Sequence, residues 1–196
     1  MRSWTAPVLE GHIVRLEPLA QAHLDGMWEA SRDSQIWRWL PILQPSTRDE
    51  MACWLDDALD RAAAGAEIPF ATVRRADGVV VGSTRFLALR PELSVVEIGW
   101  TWLSPAAWGT RANQEAKLLQ FRHAFETWGC RRVELKTDAL NTPARGAMEA
   151  FGATFEGIHR KHMLVREGVS RDSAWYSVLD DEWPAVEAQI MRTTAS

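Results

Sequence analysis

The sequence predicts a single domain of the mixed α/β (α+β) class over residues 1–196. Segments that alternate apolar and polar residues, as strands do, are interspersed with segments whose apolar residues repeat at helical spacing. An Asp77-Gly78 step between the apolar runs Ile68–Arg75 and Val79–Leu89 is typical of a β-hairpin. The chain has no internal repeat, low-complexity tract or linker, and its length suits one hydrophobic core.

The N-terminal third predicts one strand and two helices. Residues 12–19 alternate as a strand does, and residues 21–31 place their apolar side chains on one side of a helix. The aromatic segment 36–41 ends in a proline, so we expect a loop there. A second helix should begin at Thr47, because Thr47 and Glu50 match the capping-box pattern, and Gly65 should end it.

Four strands and three helices are predicted after the hairpin. The helix that follows Pro105 has one apolar face and should end at Gly129, and a short helix should be capped by Asn141 or Thr142. The predicted strands are Ser94–Leu103, Arg132–Asp138, Phe155–Glu167 and Arg171–Leu179, the last two being the arms of one hairpin, and a terminal helix covers Asp180–Met191.

Composition narrows the class of function. The net charge is −4 and no basic stripe is present, so we expect no nucleic-acid binding. No apolar run reaches about 18 residues, so no membrane span is expected. The N-terminal segment MRSWTAPVLEG lacks a signal-peptide pattern, which makes the cytoplasm the default location. Cys53 and Cys130 lack CxxC or metal-site spacing and are interpreted as reduced, mostly buried thiols; no metal cofactor is expected.

A short polar turn, residues 109–113, joins the strand Ser94–Leu103 to the next helix. Free backbone N–H groups and the positive end of the helix dipole meet at such a junction. An anion such as a pyrophosphate can bind there, so this turn is the first place to look for function.

Three segments around this turn resemble one family: EIGWTWLSPAAWGTRANQEAK, RRVELKTDALN and FGATFEGIHRKHM. The chain resembles the GCN5-related N-acetyltransferase (GNAT) superfamily, and within it the branch of the ribosomal-protein alanine N-acetyltransferases. The resemblance implies a central mixed, mostly antiparallel seven-stranded sheet flanked by helices. It also implies acetyl-CoA as the donor and an amine as the acceptor.

The resemblance indicates which residues would hold the coenzyme. The turn would bind the pyrophosphate through its N–H groups, and the strand before it would pair with the pantetheine amides. Asn141 would contact the pantetheine arm or cap its helix, and Arg145 would reach the 3′-phosphate or lie on the surface. The predicted contacts are Thr101, Trp102, Leu103, Trp108, Gly109, Thr110, Arg111, Ala112, Asn113, Asn141 and Arg145.

Arg111 stands where the family usually has a glycine. A positive φ at an arginine would cost about 1–2 kcal/mol. With a right-handed backbone the guanidinium suits a phosphate instead, or it is a solvated surface charge. Ala144 likewise replaces a serine that is common in relatives, and the tyrosine that many relatives place near Met148 is absent.

Glu97 is the predicted catalytic base, acting directly or through water. It is a carboxylate among apolar strand neighbours, and alternation places it on the same face as Gly99 and Thr101. In relatives an acidic residue at this place accepts the amine's proton. The alternative is a structural salt bridge with a helix lysine or arginine.

Four aromatic residues are predicted to line the acceptor side: Trp37, Trp39, Trp100 and Tyr176. Such a pocket would suit an apolar or cationic amine through cation–π contact, whereas most tryptophans in a domain of this size are core or rim residues. His159 and His162 lie beside Arg160 and are interpreted as a solvated basic patch.

The leading hypothesis is an acetyl-CoA-dependent N-acyltransferase in which a primary amine, from a protein N-terminus or a small molecule, attacks the thioester directly. A second hypothesis is a degenerate fold member that binds acyl-CoA as a sensor or scaffold. A third is a longer donor such as succinyl-CoA, whose carboxylate would meet Arg111 or Arg160. A homodimer through the final strands is also expected.

Overall fold

A computed structural model describes residues 4–5 and 7–195. Its strands are β1 (Leu9–Glu10), β2 (Val14–Pro18), β3 (Ile68–Arg74), β4 (Val80–Arg90), β5 (Val95–Leu103), β6 (Arg132–Asp138), β7 (Thr154–Val165) and β8 (Val169–Leu179). Its helices are α1 (Leu24–Ala30), α2 (Arg48–Ala63), α3 (Ala112–Arg122), α4 (Thr142–Ala150) and α5 (Trp183–Ala195). The residues left out of this description include the start of the N-terminal segment MRSWTAPVLEG.

All strands belong to one sheet in the order β1-β2-β3-β4-β5-β6-β8-β7. Neighbouring strands are antiparallel except for β5 and β6, which run parallel, so the predicted mixed, mostly antiparallel sheet is confirmed. Over the described residues the sheet has eight strands rather than the expected seven, because Leu9 and Glu10 pair with β2. Two residues are too few to show a strand's alternation.

Side-chain caps fix several helix starts. Thr47 Oγ1 accepts a hydrogen bond from the Glu50 N–H at 3.2 Å, as the capping-box pattern predicted. Of the two candidates for α4, Asn141 is the cap, because its Oδ1 accepts from the Ala144 N–H at 3.2 Å. The predicted loop 36–41 begins instead within a short 3-10 helix, Ser34–Trp37, for which Asp33 supplies the cap.

Two hydrophobic clusters cover the two faces of the sheet. The larger joins α3 and α5 to the central strands, with Phe121 and Tyr176 fully buried. The smaller packs α1 and α2 against β3 and includes Trp37 and Trp102. Cys130 is buried as expected, but Cys53 is exposed, because it lies off the apolar stripe of α2.

A bulge interrupts β5 and opens the sheet. Trp100 and Thr101 of β5 together oppose the single Thr84 of β4, and Trp100 adopts a φ of 50°. Beyond the bulge β5 leaves β6, since their pairing ends at Ile98 and Leu135. The gap between the two strands positions the candidate site.

Candidate functional site

A cleft of about 530 Å³ lies where β5 and β6 separate. One wall is β5 beyond the bulge, and the other is β6 with α4. The turn before α3 closes one end, and the connection between α1 and α2 covers the other with Gln35, Ile36, Trp39, Leu40 and Pro41. The cleft therefore brings together the strand, turn and loop on which the sequence had separately placed a site.

The polar turn lines the cleft through Gly109, Thr110 and Asn113. Gly109 has a φ of 69°, and a Cβ added to it would meet no atom within 4 Å. Arg111 instead has a φ of −86°, so it avoids the strain of a left-handed arginine. Asn113 Oδ1 and Gln114 Oε1 are buried at the cleft with no hydrogen-bond partner in the part of the chain described. The turn thus presents unused polar groups to a ligand.

In the part of the chain that the structure describes, residues 99–103 have no strand partner on the side toward β6. Thr101, Trp102 and Leu103 all line the cleft there. An unpaired strand edge offers N–H and C=O groups at regular spacing, which is what an extended chain with amides requires. Across the gap, Asn141 divides its amide between capping α4 and donating to Thr137 Oγ1 at 3.0 Å.

Glu97 faces the cleft with its side chain only 2% exposed, and the Lys136 ammonium donates to its Oε2 at 2.8 Å. This partner lies on the neighbouring strand, not on a helix as the salt-bridge alternative supposed. Burial raises the pKa of the Glu97 carboxyl above its usual value, while Lys136 opposes that rise. A carboxylate of raised pKa beside a cleft is a candidate base.

Thr101 does not share a face with Glu97, although strict alternation predicted that it would. The extra residue of the bulge turns Thr101 toward α3, while Glu97 and Gly99 remain on the opposite face. A sequence reading that assumes a regular strand misses such a reversal.

Lys117 of α3 is the main residue that the sequence reading overlooked. Its side chain is fully buried, and its ammonium donates to Thr101 Oγ1 at 2.7 Å, Gln120 Oε1 at 3.1 Å and Thr84 Oγ1 at 3.2 Å. Burial lowers the pKa of Lys117 from 10.5 to about 7. One signal was available: Lys117 precedes the core residues Phe121 and Phe125 by four and eight positions, which places it on their helix face.

The predicted acceptor residues separate into two groups. Trp39 and Trp100 line the cleft, and the Trp100 ring lies 4.8 Å from the guanidinium of buried Arg85. Trp37 is instead buried in the smaller cluster, with its Nε1 donating to the Ser31 carbonyl at 2.9 Å. Tyr176 is buried on the α4 side, where its hydroxyl donates to Glu149 Oε1 at 2.9 Å. The geometry does not favour a substrate role for Trp37 or Tyr176.

Three predicted coenzyme residues lie outside the lining of the cleft. Arg145 donates through Nε to the Tyr176 hydroxyl at 3.0 Å and through Nη1 to the Ala139 carbonyl at 3.2 Å. Ala112 is buried beneath the turn, and Arg111 occupies the N-cap position of α3. Trp108 does line the cleft, and its indole N–H donates to the Leu103 carbonyl at 2.7 Å. These contacts give Trp108 a part in shaping the turn.

The comparisons with known proteins agree with this architecture. The family model of the acetyltransferase (GNAT) domain matches residues 14–154. The chain belongs to the GNAT family. A GCN5-related N-acetyltransferase from Brucella melitensis is 37% identical, with 97% of this chain and 86% of that one covered and a TM-score of 0.91. A T. thermophilus protein named as an acetyltransferase is 36% identical, with coverages of 97% and 98% and a TM-score of 0.88.

A more distant GNAT structure shares the fold. Mycobacterium smegmatis RimJ, solved with CoA-disulfide, is 20% identical over 95% of this chain and 91% of its own, with a TM-score of 0.79. No curated protein matches the chain in sequence. The protein is thus an N-acetyltransferase of the GNAT fold, a family that uses acetyl-CoA.

Within residues 4–5 and 7–195, no three His, Cys, Asp or Glu side chains are grouped as metal ligands would be. Over the same residues, none of the helices has both the length and the apolar content that crossing a membrane requires.

Proposed function

We propose that this GNAT protein transfers the acetyl group of acetyl-CoA to a primary amine, of a small molecule or a protein N-terminus, by direct attack on the thioester. The observation that carries the proposal is the separation of β5 from β6 after Ile98, since among the described residues it leaves an unpaired strand edge between the polar turn 109–113 and the buried carboxylate of Glu97.

The coenzyme would lie along this edge. The turn 108–113 would receive the pyrophosphate through backbone N–H groups at the α3 N-terminus, with the α3 dipole favouring its charge. The backbone of Thr101–Leu103 would hydrogen bond with the pantetheine amides. This arrangement would direct the thioester toward Gly99 and Glu97, which line the cleft beside the bulge.

In the reaction the amine nitrogen bonds to the thioester carbon and the C–S bond breaks, releasing coenzyme A as the thiolate. The amine must be neutral to attack, and the bonded nitrogen must lose one proton. Glu97, through water, would accept that proton, and its raised pKa suits a base that works near neutral pH. The thiolate takes a proton from solvent.

Glu97→Gln tests the proposal. The glutamine keeps the size of the side chain and can still accept the Lys136 hydrogen bond, so it removes the base while preserving the contact. We expect turnover, measured as thiol release from acetyl-CoA with a panel of amines at pH 7, to fall by about 100-fold or more. Coenzyme A affinity, measured by calorimetry, should remain near that of the wild type.

Glu92→Gln, on the connection before β5, is the matched control and should leave both quantities unchanged. Unchanged turnover in Glu97→Gln would exclude Glu97 as the base. Coenzyme binding without thiol release from any amine would favour the acyl-CoA sensor over the enzyme. A cytoplasmic location and a homodimer remain predictions.

A further inference from the structure

Arg171 of β8 is a buried cation at the end of the cleft that the connection between α1 and α2 covers. The β6–β8 register pairs Lys136 with Trp175, so Arg171, four residues before Trp175, lies on the same sheet face as Lys136 and Glu97. Its side chain lines the cleft beside residues 35–41 of that connection, here called the Trp39 loop. Only 8% of the residue is exposed.

The guanidinium of Arg171 has few acceptors for its five N–H groups. Nη1 donates to the Trp39 carbonyl at 3.4 Å, a long bond, and Nε is buried without a partner among the residues described. Within that same set, no carboxylate oxygen lies within 4.0 Å of this guanidinium. A buried guanidinium N–H without an acceptor is costly unless a ligand supplies one.

The neighbouring charges do not neutralise the site. The cleft lining contains three cations, Lys117, Lys136 and Arg171, but one carboxylate, Glu97, among the residues that the structure describes. Lys136 is engaged by Glu97, and Lys117 is satisfied by three oxygen atoms on the other face. The Asp138 and Glu97 charges act on Arg171 at longer range, and the Arg166 charge opposes them. Among the described residues, Arg171 is therefore the cation of the cleft lining that has neither a carboxylate in contact nor a full set of hydrogen-bond acceptors.

We infer that Arg171 binds a carboxylate of the acceptor, so that the substrates are amines that also carry a carboxylate, as amino acids do. This inference rests on the proposed acetyl transfer. The acceptor's amine would lie toward Glu97 and its carboxylate toward Arg171, which are on one face of the sheet. A carboxylate with two oxygens matches the planar fork of a guanidinium.

The test compares Arg171→Gln with the wild type, and each is first saturated with coenzyme A. The probes are the L-amino acids, their matched amides, and dipeptides with an acidic or a neutral second residue. The binding of each probe is measured by thermal shift and calorimetry. We expect at least one amino acid to bind at least tenfold more tightly than its amide. Arg171→Gln should weaken the binding of that amino acid by about 10- to 100-fold. Arg171→Lys, which keeps the charge but not the fork, should give an intermediate loss.

Arg166→Gln is the matched control. Arg166 also ties the Trp39 loop to the β7–β8 hairpin, with its Nη1 donating to the Arg38 carbonyl and its N–H to the Pro41 carbonyl at 3.0 Å, but it does not line the cleft. An equal loss in Arg166→Gln and Arg171→Gln would show that loop anchoring explains the effect, and would overturn the inference.

Turnover then separates this inference from the proposed function. Lost binding of the acid in Arg171→Gln, together with no thiol release from any amine, would support the carboxylate site and reject acetyl transfer. Equal turnover of acids and amides, unchanged in Arg171→Gln, would support acetyl transfer and overturn the carboxylate site. If Arg171→Gln raised only the KM for succinyl-CoA, Arg171 would be assigned to the donor and the carboxylate site for the acceptor would be overturned. The absence of binding by every acid would overturn that site too.

Discussion

Replacing Lys117 by methionine should change how the stability of this protein depends on pH. The lysine is buried against Thr84, Thr101 and Gln120, and no carboxylate pairs with it among the residues described. Methionine has a similar volume and no charge. After the replacement the two threonine hydroxyls, 2.7 Å apart, and Gln120 Oε1, 3.1 Å from Thr84, can still bond with one another. The main change is therefore the loss of a buried charge.

The magnitude follows from the pKa of Lys117. Its fall from 10.5 to about 7 corresponds to about 5 kcal/mol, at about 1.4 kcal/mol for each tenfold change in proton affinity. Three hydrogen bonds favour the charged form, so we expect a measured effect of about 2–5 kcal/mol.

The sign is set by which state holds the proton. Below pH 7 both the folded and the unfolded states carry the proton on Lys117, and the folded state bears the whole cost of the buried charge. Between pH 7 and 10.5 the unfolded state keeps the proton and the folded state loses it, so the contribution of Lys117 to stability becomes more favourable as the pH rises. The stability gained by Lys117→Met should thus be largest at about pH 6 and shrink toward about pH 10.

Urea unfolding followed by tryptophan fluorescence, at five values from about pH 6 to about pH 10, gives the free energy of unfolding of each protein. Subtracting the unfolding free energy of the wild type from that of Lys117→Met cancels the contributions of most other titrating groups. Lys161→Met, at an exposed lysine, is the control and should give a difference independent of pH. A constant difference for Lys117→Met across this range would refute the reasoning.

Three further predictions concern the turn, the buried tyrosine and the α4 cap. Gly109→Ala should weaken coenzyme A binding by about tenfold in calorimetry, because the free turn of the variant would relax from the φ of 69° and binding would have to restore it at a cost of about 1–2 kcal/mol; Gly146→Ala, inside α4, should not weaken it. Tyr176→Phe should cost about 1 kcal/mol of unfolding free energy and leave turnover unchanged, and reduced turnover with unchanged KM would contradict its placement in the core. Asn141→Ala should cost about 1 kcal/mol through loss of the cap, and an added loss of coenzyme affinity would show that the same amide also contacts the ligand.

Regular elements of this fold could be predicted because local patterns determine them. The strand at Arg132–Asp138 was predicted from its alternation and has the same limits in the structure. The capping box at Thr47 depends on a few adjacent residues, and so does the glycine stop at Gly129, where φ is 68° and which follows the π-helical turn His123–Thr127 that continues α3. The strand-turn-helix junction that lines the cleft is likewise a local feature, because it depends on residues that are close together in the chain.

Features that depend on packing could not be predicted from pattern alone. The residues near Trp100 do not predict its positive φ, and the bulge there places the Thr101 side chain on the sheet face opposite to that of Glu97. Tyr176 was assigned to the acceptor side, but its position on β8 points it into the core between Ala174 and Val178. In the sequence Arg171 is one charged residue on a predicted strand, and only the fold shows that it is buried at the cleft.

The hydrogen bonds of Glu115 tie the start of the domain to the first turn of α3. Its carboxylate accepts the N–H groups of His12, Ile13 and Val14 at 2.8, 2.6 and 2.7 Å. A Cβ on Gly11 would lie 2.5 Å from that carboxylate. Truncating the gene beyond the codon of Gly11, or fusing a bulky tag directly to that point, would release the first turn of α3 as well as an edge strand. Expression vectors should therefore retain this stretch, although it lies 103 positions away along the chain from the glutamate that it holds in place.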